Sequence, residues 1–205
     1  MRVDRRTVES HRAAILSAAG RLFRRRGIAT VSVADVTRAA GLTHGAFYGH
    51  FSSKDALAAE ACRVSLADAA EKWRQRAARA RAAGLDPFNA LIDAYLTERH
   101  RDAPEEGCVL AALGPEVARA EPPISGALSA GVAALGQVLE EEIAARNPAL
   151  SRPECARTAL AVLAALTGGI VLARACRADP DRSRAVLEGT AKLARDAACR
   201  PQEPP

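Results

Sequence analysis

Between residues 27 and 55 helix stops and starts follow one another so closely that a helix inside that stretch runs for little more than about two turns. Gly27 is a stop after the basic last turn, Arg24 to Arg26, of a first amphipathic helix in which Ile15, Ala18, Ala19, Leu22 and Phe23 recur at helical spacing. Ser32 with Asp35 three places on forms a capping box before Val33, Val36, Ala39 and Ala40, and Gly41 ends that second helix. Thr43 is the next N-cap, which predicts a very short third helix from His44 to His50. Ser52 with Asp55 predicts a further capping box, opening a long helix through Leu57, Ala61, Val64 and Leu66 towards Trp73 and Ala82. Phe47 and Phe51, four residues apart, form the inward face that seats the third helix on the first.

The rest of the composition agrees with helices throughout. Alanine occupies 48 of the 205 positions, aromatics are 3%, and Val, Ile and Thr are scattered, so an all-α fold is expected. The length is enough to bury a core without disulfides or metals. Five cysteines at wide, irregular spacings suggest neither a disulfide framework nor a zinc site, and no cofactor is implied. The longest uncharged apolar stretch, residues 158–173, has 16 residues, short of the roughly 20 that span a bilayer. With no basic-then-apolar opening segment, the expectation is a cytoplasmic protein with no membrane partner. Charge is lopsided: residues 1–54 hold ten Lys or Arg against three acids, while the remainder has a slight acidic excess. That asymmetry points to a polyanion-binding head on a body with another task.

Two short helices joined by a few residues including a glycine, the second rich in small polar groups, match the helix-turn-helix pattern, whose second helix enters the major groove. The head also resembles the TetR/AcrR-type one-component transcriptional regulators. The resemblance runs through Ile15-Leu16, Ala18-Ala19, Leu22-Phe23, Gly27, Ser32-Val33, Asp35-Val36 and Ala39-Ala40-Gly41-Leu42. It continues through Gly45, Phe47-Tyr48, His50-Phe51 and Lys54-Asp55 to Leu57. It implies a homodimer that binds a double-stranded DNA operator, most often as a repressor, with a pocket for an unknown small-molecule effector in the C-terminal domain.

Major-groove readout needs donors at the phosphates and base edges and little bulk between. Thr43 and His44 are the candidates for base edges; Tyr48, turned outward beside Phe47 and Phe51, is a candidate for phosphate; Gly45 lets the backbone approach. Lys54 is a cation in the first turn of a helix, where the dipole disfavours it, which suits a residue facing a phosphate. His50 matches a family position that touches the backbone, and Thr37 and Arg38 on the second helix reach towards phosphates. The run Arg24 to Arg26 reads as a solvated helix end, and Arg2, Arg5 and Arg6 either as a minor-groove arm or as a basic tail.

In the body, Asp86 with Pro87 opens a helix whose Phe88, Leu91, Ile92, Tyr95 and Leu96 form one apolar stripe. A charged connection, residues 98–106, leads to a short helix broken or kinked at Gly114-Pro115. Long helices follow from Ser125 to Arg146, after the Ser151/Glu154 box to about Arg177, and from Asp179-Pro180 to about Ala198. The expected organisation is a helix-turn-helix domain over residues 1–52, a ligand-binding and dimerisation domain over 53–200 and a disordered tail over 201–205, with about nine helices in all. By resemblance the last two long helices form a four-helix dimer interface. Candidate pocket residues are Trp73, Phe88, Leu91, Tyr95, Leu113, Leu139 and Thr167. Cys108, after Gly107 at the apparent start of a helix, is an additional candidate as a reactive thiol. No triad, phosphate loop or metal-ligand spacing supports an enzyme. A sequence-tolerant architectural DNA binder is the alternative to a specific regulator.

Overall fold

The computed structural model describes residues 5–120 and 122–199; the predicted arm residue Arg2 and the tail 201–205 lie outside them. The described residues form ten α-helices, one 3-10 turn and no strand. The helices are α1 (Arg5–Arg26), α2 (Val33–Ala39), α3 (His44–Tyr48), α4 (Lys54–Ala82) and α5 (Pro87–Tyr95). They continue with α6 (Glu98–Asp102), the 3-10 turn Pro104–Glu106, α7 (Val109–Val117), α8 (Pro122–Arg146), α9 (Arg152–Ala175) and α10 (Pro180–Cys199).

The local signals act where the sequence puts them. Ser32 Oγ accepts the Asp35 N–H while the Asp35 carboxylate accepts the Ser32 N–H, closing the box that opens α2. Asp86 caps α5 with Pro87 at its first position, and Ser151 and Glu154 close a second box on α9. Hydrogen bonds from the Ser32 backbone and hydroxyl hold the Asp35 carboxyl below its ordinary range, and those from the Ser151 hydroxyl and backbone do the same for Glu154.

Four expectations shift. The cap of α4 is Ser53, whose Oγ accepts the Ala56 N–H, one residue later than the Ser52/Asp55 box. The connection 98–106 is not a plain loop: Thr97 accepts the His100 N–H and starts α6, which is the additional helix beyond nine. α7 is not broken at Pro115 but continues to Val117, and beyond the proline the Ala118 N–H still donates to the Gly114 carbonyl at 3.0 Å. By length and composition α8 and α9 could each cross a bilayer, with 18-residue stretches of mean hydropathy 1.2 and 1.8. Their faces carrying Leu135, Val138, Leu139, Ile143, Val162, Leu163, Leu166 and Ile170 are instead buried in protein.

Packing divides the chain into two units, and the division is not a single cut at residue 52. The first comprises Met1–Ser65 with Pro104–Ala130, the second Leu66–Ala103 with Gly131–Pro205. In the first, Ile15, Ala19 and Phe23 of α1 are buried with Val36, Phe47, Phe51, Leu57, Val109 and Leu113. In the second, Phe88, Leu91, Ile92, Leu139, Ile143, Leu166 and Leu187 are buried. There α9 packs along α10 through Gly169, where a Cβ would stand 2.7 Å from Thr190 Oγ1. Leu160, Leu172 and Leu193, also on these two helices, remain 49%, 58% and 60% exposed.

Candidate nucleic-acid interface

α3 is too short to hold its place by backbone bonds alone, and its position comes from two aromatic residues. Phe47 and Phe51 are buried with ring centroids 5.8 Å apart. With that face turned in, the opposite face points outward: Tyr48 is 64% exposed, and His44 lies exposed with its ring edge-on to Tyr48 at 5.6 Å. Thr43, the N-cap, is exposed and its hydroxyl makes no capping bond. Gly45 is exposed, and a Cβ built there would meet no atom within 4 Å. A helical glycine costs about 1 kcal/mol relative to alanine, and neither crowding nor a positive φ inside this chain requires one here. Thr43, His44, Gly45 and Tyr48 thus form one small, polar, outward surface.

The flanking candidates divide. Arg38 is exposed, with Nη1 3.4 Å from Asp35 Oδ1, and projects from α2. His50 is half-buried, its ring 6.5 Å from that of His11 and 6.4 Å from Phe51. Thr37 is 2% exposed and its hydroxyl donates to the carbonyls of Val33 and Ala34, so it belongs to the interior of α2 rather than to a phosphate-facing surface. Lys54 is likewise committed inward. Its ammonium donates to the carbonyls of Ile28 at 3.0 Å, Val31 at 3.3 Å and Ala29 at 3.4 Å, all in the turn between α1 and α2. The converging carbonyl dipoles take the role that the sequence assigns to a phosphate.

The arginine run also differs from a solvated end. Arg25 is exposed, and Arg26 approaches Asp35 at 3.9 Å, but Arg24 is half-buried. Its Nε and Nη2 donate to the Glu105 carbonyl at 2.9 and 2.7 Å, and its Nη1 to Ser65 Oγ at 3.1 Å. Burial pulls its guanidinium below the ordinary arginine value. In the same unit Glu116 of α7 accepts the N–H groups of Ile28 and Ala29. No local sequence signal marks Arg24 or Glu116, because their partners lie 41 to 88 residues away.

The candidate pocket residues fall in different units. Cys108 is the N-cap of α7 and half-buried, and Leu113 is buried; both belong to the first unit. Leu113 lines, with Phe23, Arg24, Cys62 and Val109, a crevice too tight to admit a water molecule, and burial pushes the Cys62 thiol up to about 11. Trp73, Phe88, Leu91, Tyr95, Leu139 and Thr167 belong to the second unit. There Trp73 meets the Tyr95 ring edge-on at 5.7 Å, and Tyr95 meets His100 at 4.4 Å. His100 Nδ1 donates to the Tyr95 carbonyl, and burial lowers the pKa of its ring. Thr167 Oγ1 is buried without a hydrogen-bond partner.

Residues 15–61 match the family model described as bacterial regulatory proteins, tetR family. The chain is 36% identical over 86 residues to the HTH-type transcriptional repressor KstR2 of Rhodococcus jostii, covering 42% of this chain and 40% of that protein. It is 40% identical over 57 residues to the HTH-type transcriptional regulator TtgR of Pseudomonas putida, covering 28% of this chain and 27% of that one. The matched stretch thus spans well under half the length of these relatives. Among solved structures, a TetR-family transcriptional regulator from Cytophaga hutchinsonii superposes with a TM-score of 0.75 at 19% identity, over 98% of this chain and 100% of that one. The reduced form of E. coli NemR superposes with the same score and identity, over 91% and 97%. At such identities the likeness is one of fold.

Proposed function

We infer that this chain is a TetR/AcrR-type regulator, a sequence-specific DNA-binding transcriptional protein that lays α3 in the major groove. The observation that carries the reading is the outward surface of α3 and its N-cap: Thr43, His44, Gly45 and Tyr48 are exposed, while Phe47 in the helix and Phe51 just after it are buried. Thr43 and His44 contact base edges, Tyr48, His50 and Arg38 contact phosphates, and Gly45 admits the backbone to the groove floor. Lys54 and Thr37 serve by shaping the turn and α2.

The regulator works in the cytoplasm as a homodimer through α9 and α10. The exposed Leu160, Leu172 and Leu193 support that pairing, since they lie on two helices already packed together in one chain. Two-fold symmetry then calls for a pseudo-palindromic operator with half-sites about one DNA turn apart. A small-molecule effector in the second unit releases the operator, as in a repressor. The buried Thr167 hydroxyl, lacking an internal partner, is the polar group such a ligand would satisfy, and Trp73, Phe88, Leu91, Tyr95 and Leu139 of the same unit are the candidate apolar lining. The effector need favour one state by only ~1–3 kcal/mol to change DNA affinity 5–150-fold.

The test is selection of bound sequences from a random duplex pool, followed by titration of the enriched duplex against excess nonspecific DNA. A two-fold motif that survives competitor is the expected result. Recovery of no motif, with binding lost near physiological salt, would overturn it in favour of sequence-tolerant binding.

A further inference from the structure

The turn between α1 and α2 is held from both sides by residues remote in sequence. Gly27 enters it at φ 84°, in the left-handed region, and the two amides that follow converge on one carboxylate. Ile28 N–H donates to Glu116 Oε2 at 3.0 Å and Ala29 N–H to Oε1 at 2.7 Å. The fit is close, since a Cβ on Gly27 would stand 3.0 Å from Glu116 Oε2. The carbonyls of the same turn are taken by the Lys54 ammonium. One helical turn earlier, Arg24 reaches the Glu105 carbonyl. Two amides of the turn are therefore held by α7 and three of its carbonyls by the start of α4, and the partners on the α7 side lie in a segment that the chain reaches only after α5 and α6.

We propose that Glu116 is a positioning residue for DNA recognition: its carboxylate, seated on the Ile28 and Ala29 amides, fixes the angle at which α2 and α3 leave α1. Charge-assisted bonds to backbone N–H groups are short and directional, so the carboxylate selects one conformation of the turn. Buried Ile28 and Val31 carry that conformation into the packing of α2, and α2 packs directly on α3. A state in which α7 withdraws leaves two amides without an acceptor and frees the turn, which makes the same contact a point of control. This inference rests on the regulator reading above.

The experiment compares the full chain with Glu116→Gln, which puts an amide NH2 where one acceptor oxygen sits, and with Glu71→Gln. The second removes the same charge from an exposed site on α4. Each is titrated with the duplex enriched by the wild-type chain and with random-sequence duplex, and amide exchange is followed by NMR. The expected result is at least about a tenfold loss of affinity for the enriched duplex relative to Glu71→Gln, or ~1.4 kcal/mol. Affinity for random duplex stays equal in the two variants. Exchange at Ile28 and Ala29 rises about tenfold or more in Glu116→Gln, while exchange at Leu57, inside α4, stays as in wild type.

Specific affinity within twofold of Glu71→Gln, or unchanged exchange at the two amides, overturns the proposal. If Glu116→Gln does not fold, exchange in the wild-type chain decides: protection of both amides at least about tenfold beyond intrinsic rates supports the seat, and exchange at intrinsic rates removes it. Failure of the wild-type chain to enrich any sequence removes the regulator reading and the recognition role of Glu116 with it. An enriched motif with no change at Ile28 and Ala29 removes the seat alone.

Discussion

At the scale of single residues, side chains of similar promise in the sequence separate into two kinds. Lys54 and Tyr48 both read as phosphate partners, yet one ammonium is spent on three carbonyls and the other side chain is exposed. Lys54→Met should therefore lower stability by about 1.5 to 3 kcal/mol, the range for hydrogen bonds to a charged group. The salt dependence of DNA binding should stay the same, because a residue that touches no phosphate releases no counterion. Thermal unfolding beside titrations at several salt concentrations checks both halves. Gly45→Ala should do the reverse. It relieves the helical glycine penalty and raises stability by roughly 0.5–1 kcal/mol, while the added methyl blocks close approach and weakens binding to the enriched duplex about tenfold, ~1.4 kcal/mol. A variant both more stable and tighter on DNA would contradict the assignment of Gly45 to the interface.

At the scale of elements, short-range chemistry made most of the fold legible. Ser32 and Asp35, Asp86 and Pro87, and Ser151 and Glu154 each complete their bonds within three residues, so their pattern is visible in the sequence and realised in the structure. Ser53 rather than Ser52 caps α4 because two adjacent serines offer the same chemistry one residue apart. α6 was hidden because Thr97 sits among charged residues that read equally well as a loop. The inward turn of Lys54 and the reach of Glu116 were beyond sequence reading, since each depends on backbone atoms 23 to 88 residues distant. These elements also set a pH response. His100 is half-buried with a pKa below its ordinary 6.5, so the unfolded chain takes up that proton first and stability falls as pH drops below about 6.5. The depressed Asp35 and Glu154 carboxyls stabilise above their ordinary values of 3.8 and 4.5, and that contribution is lost as pH falls through their lower folded values. The melting temperature should decline in two stages on acidification from about pH 7 to about pH 3. His100→Gln should flatten the upper stage only; an unchanged upper stage would mean that another group titrates there.

At the scale of the whole molecule, a single chain leaves leucines on α9 and α10 exposed that a second copy would cover. Leu172→Asp combined with Leu193→Asp should shift the sedimenting species from dimer to monomer while each chain keeps its helical content. Because two half-sites are then no longer held together, affinity for a two-fold duplex should fall by at least about a hundredfold, within the range expected when linked binding is lost. A monomeric wild-type chain that binds the duplex at full strength would remove this interface from the mechanism.

Packing that joins Pro104–Ala130 to Met1–Ser65 has a practical corollary for anyone building chimaeras from this protein. A reading head cut out at residue 52 would leave behind Lys54, Glu105 and Glu116, and with them the partners of the α1–α2 turn and of Arg24. A transplant that keeps its specificity has to be discontinuous, with three seams, after residues 65, 103 and 130. The recipient scaffold must then accept an inserted helical segment, with α7 and the first turns of α8, as well as a new terminus.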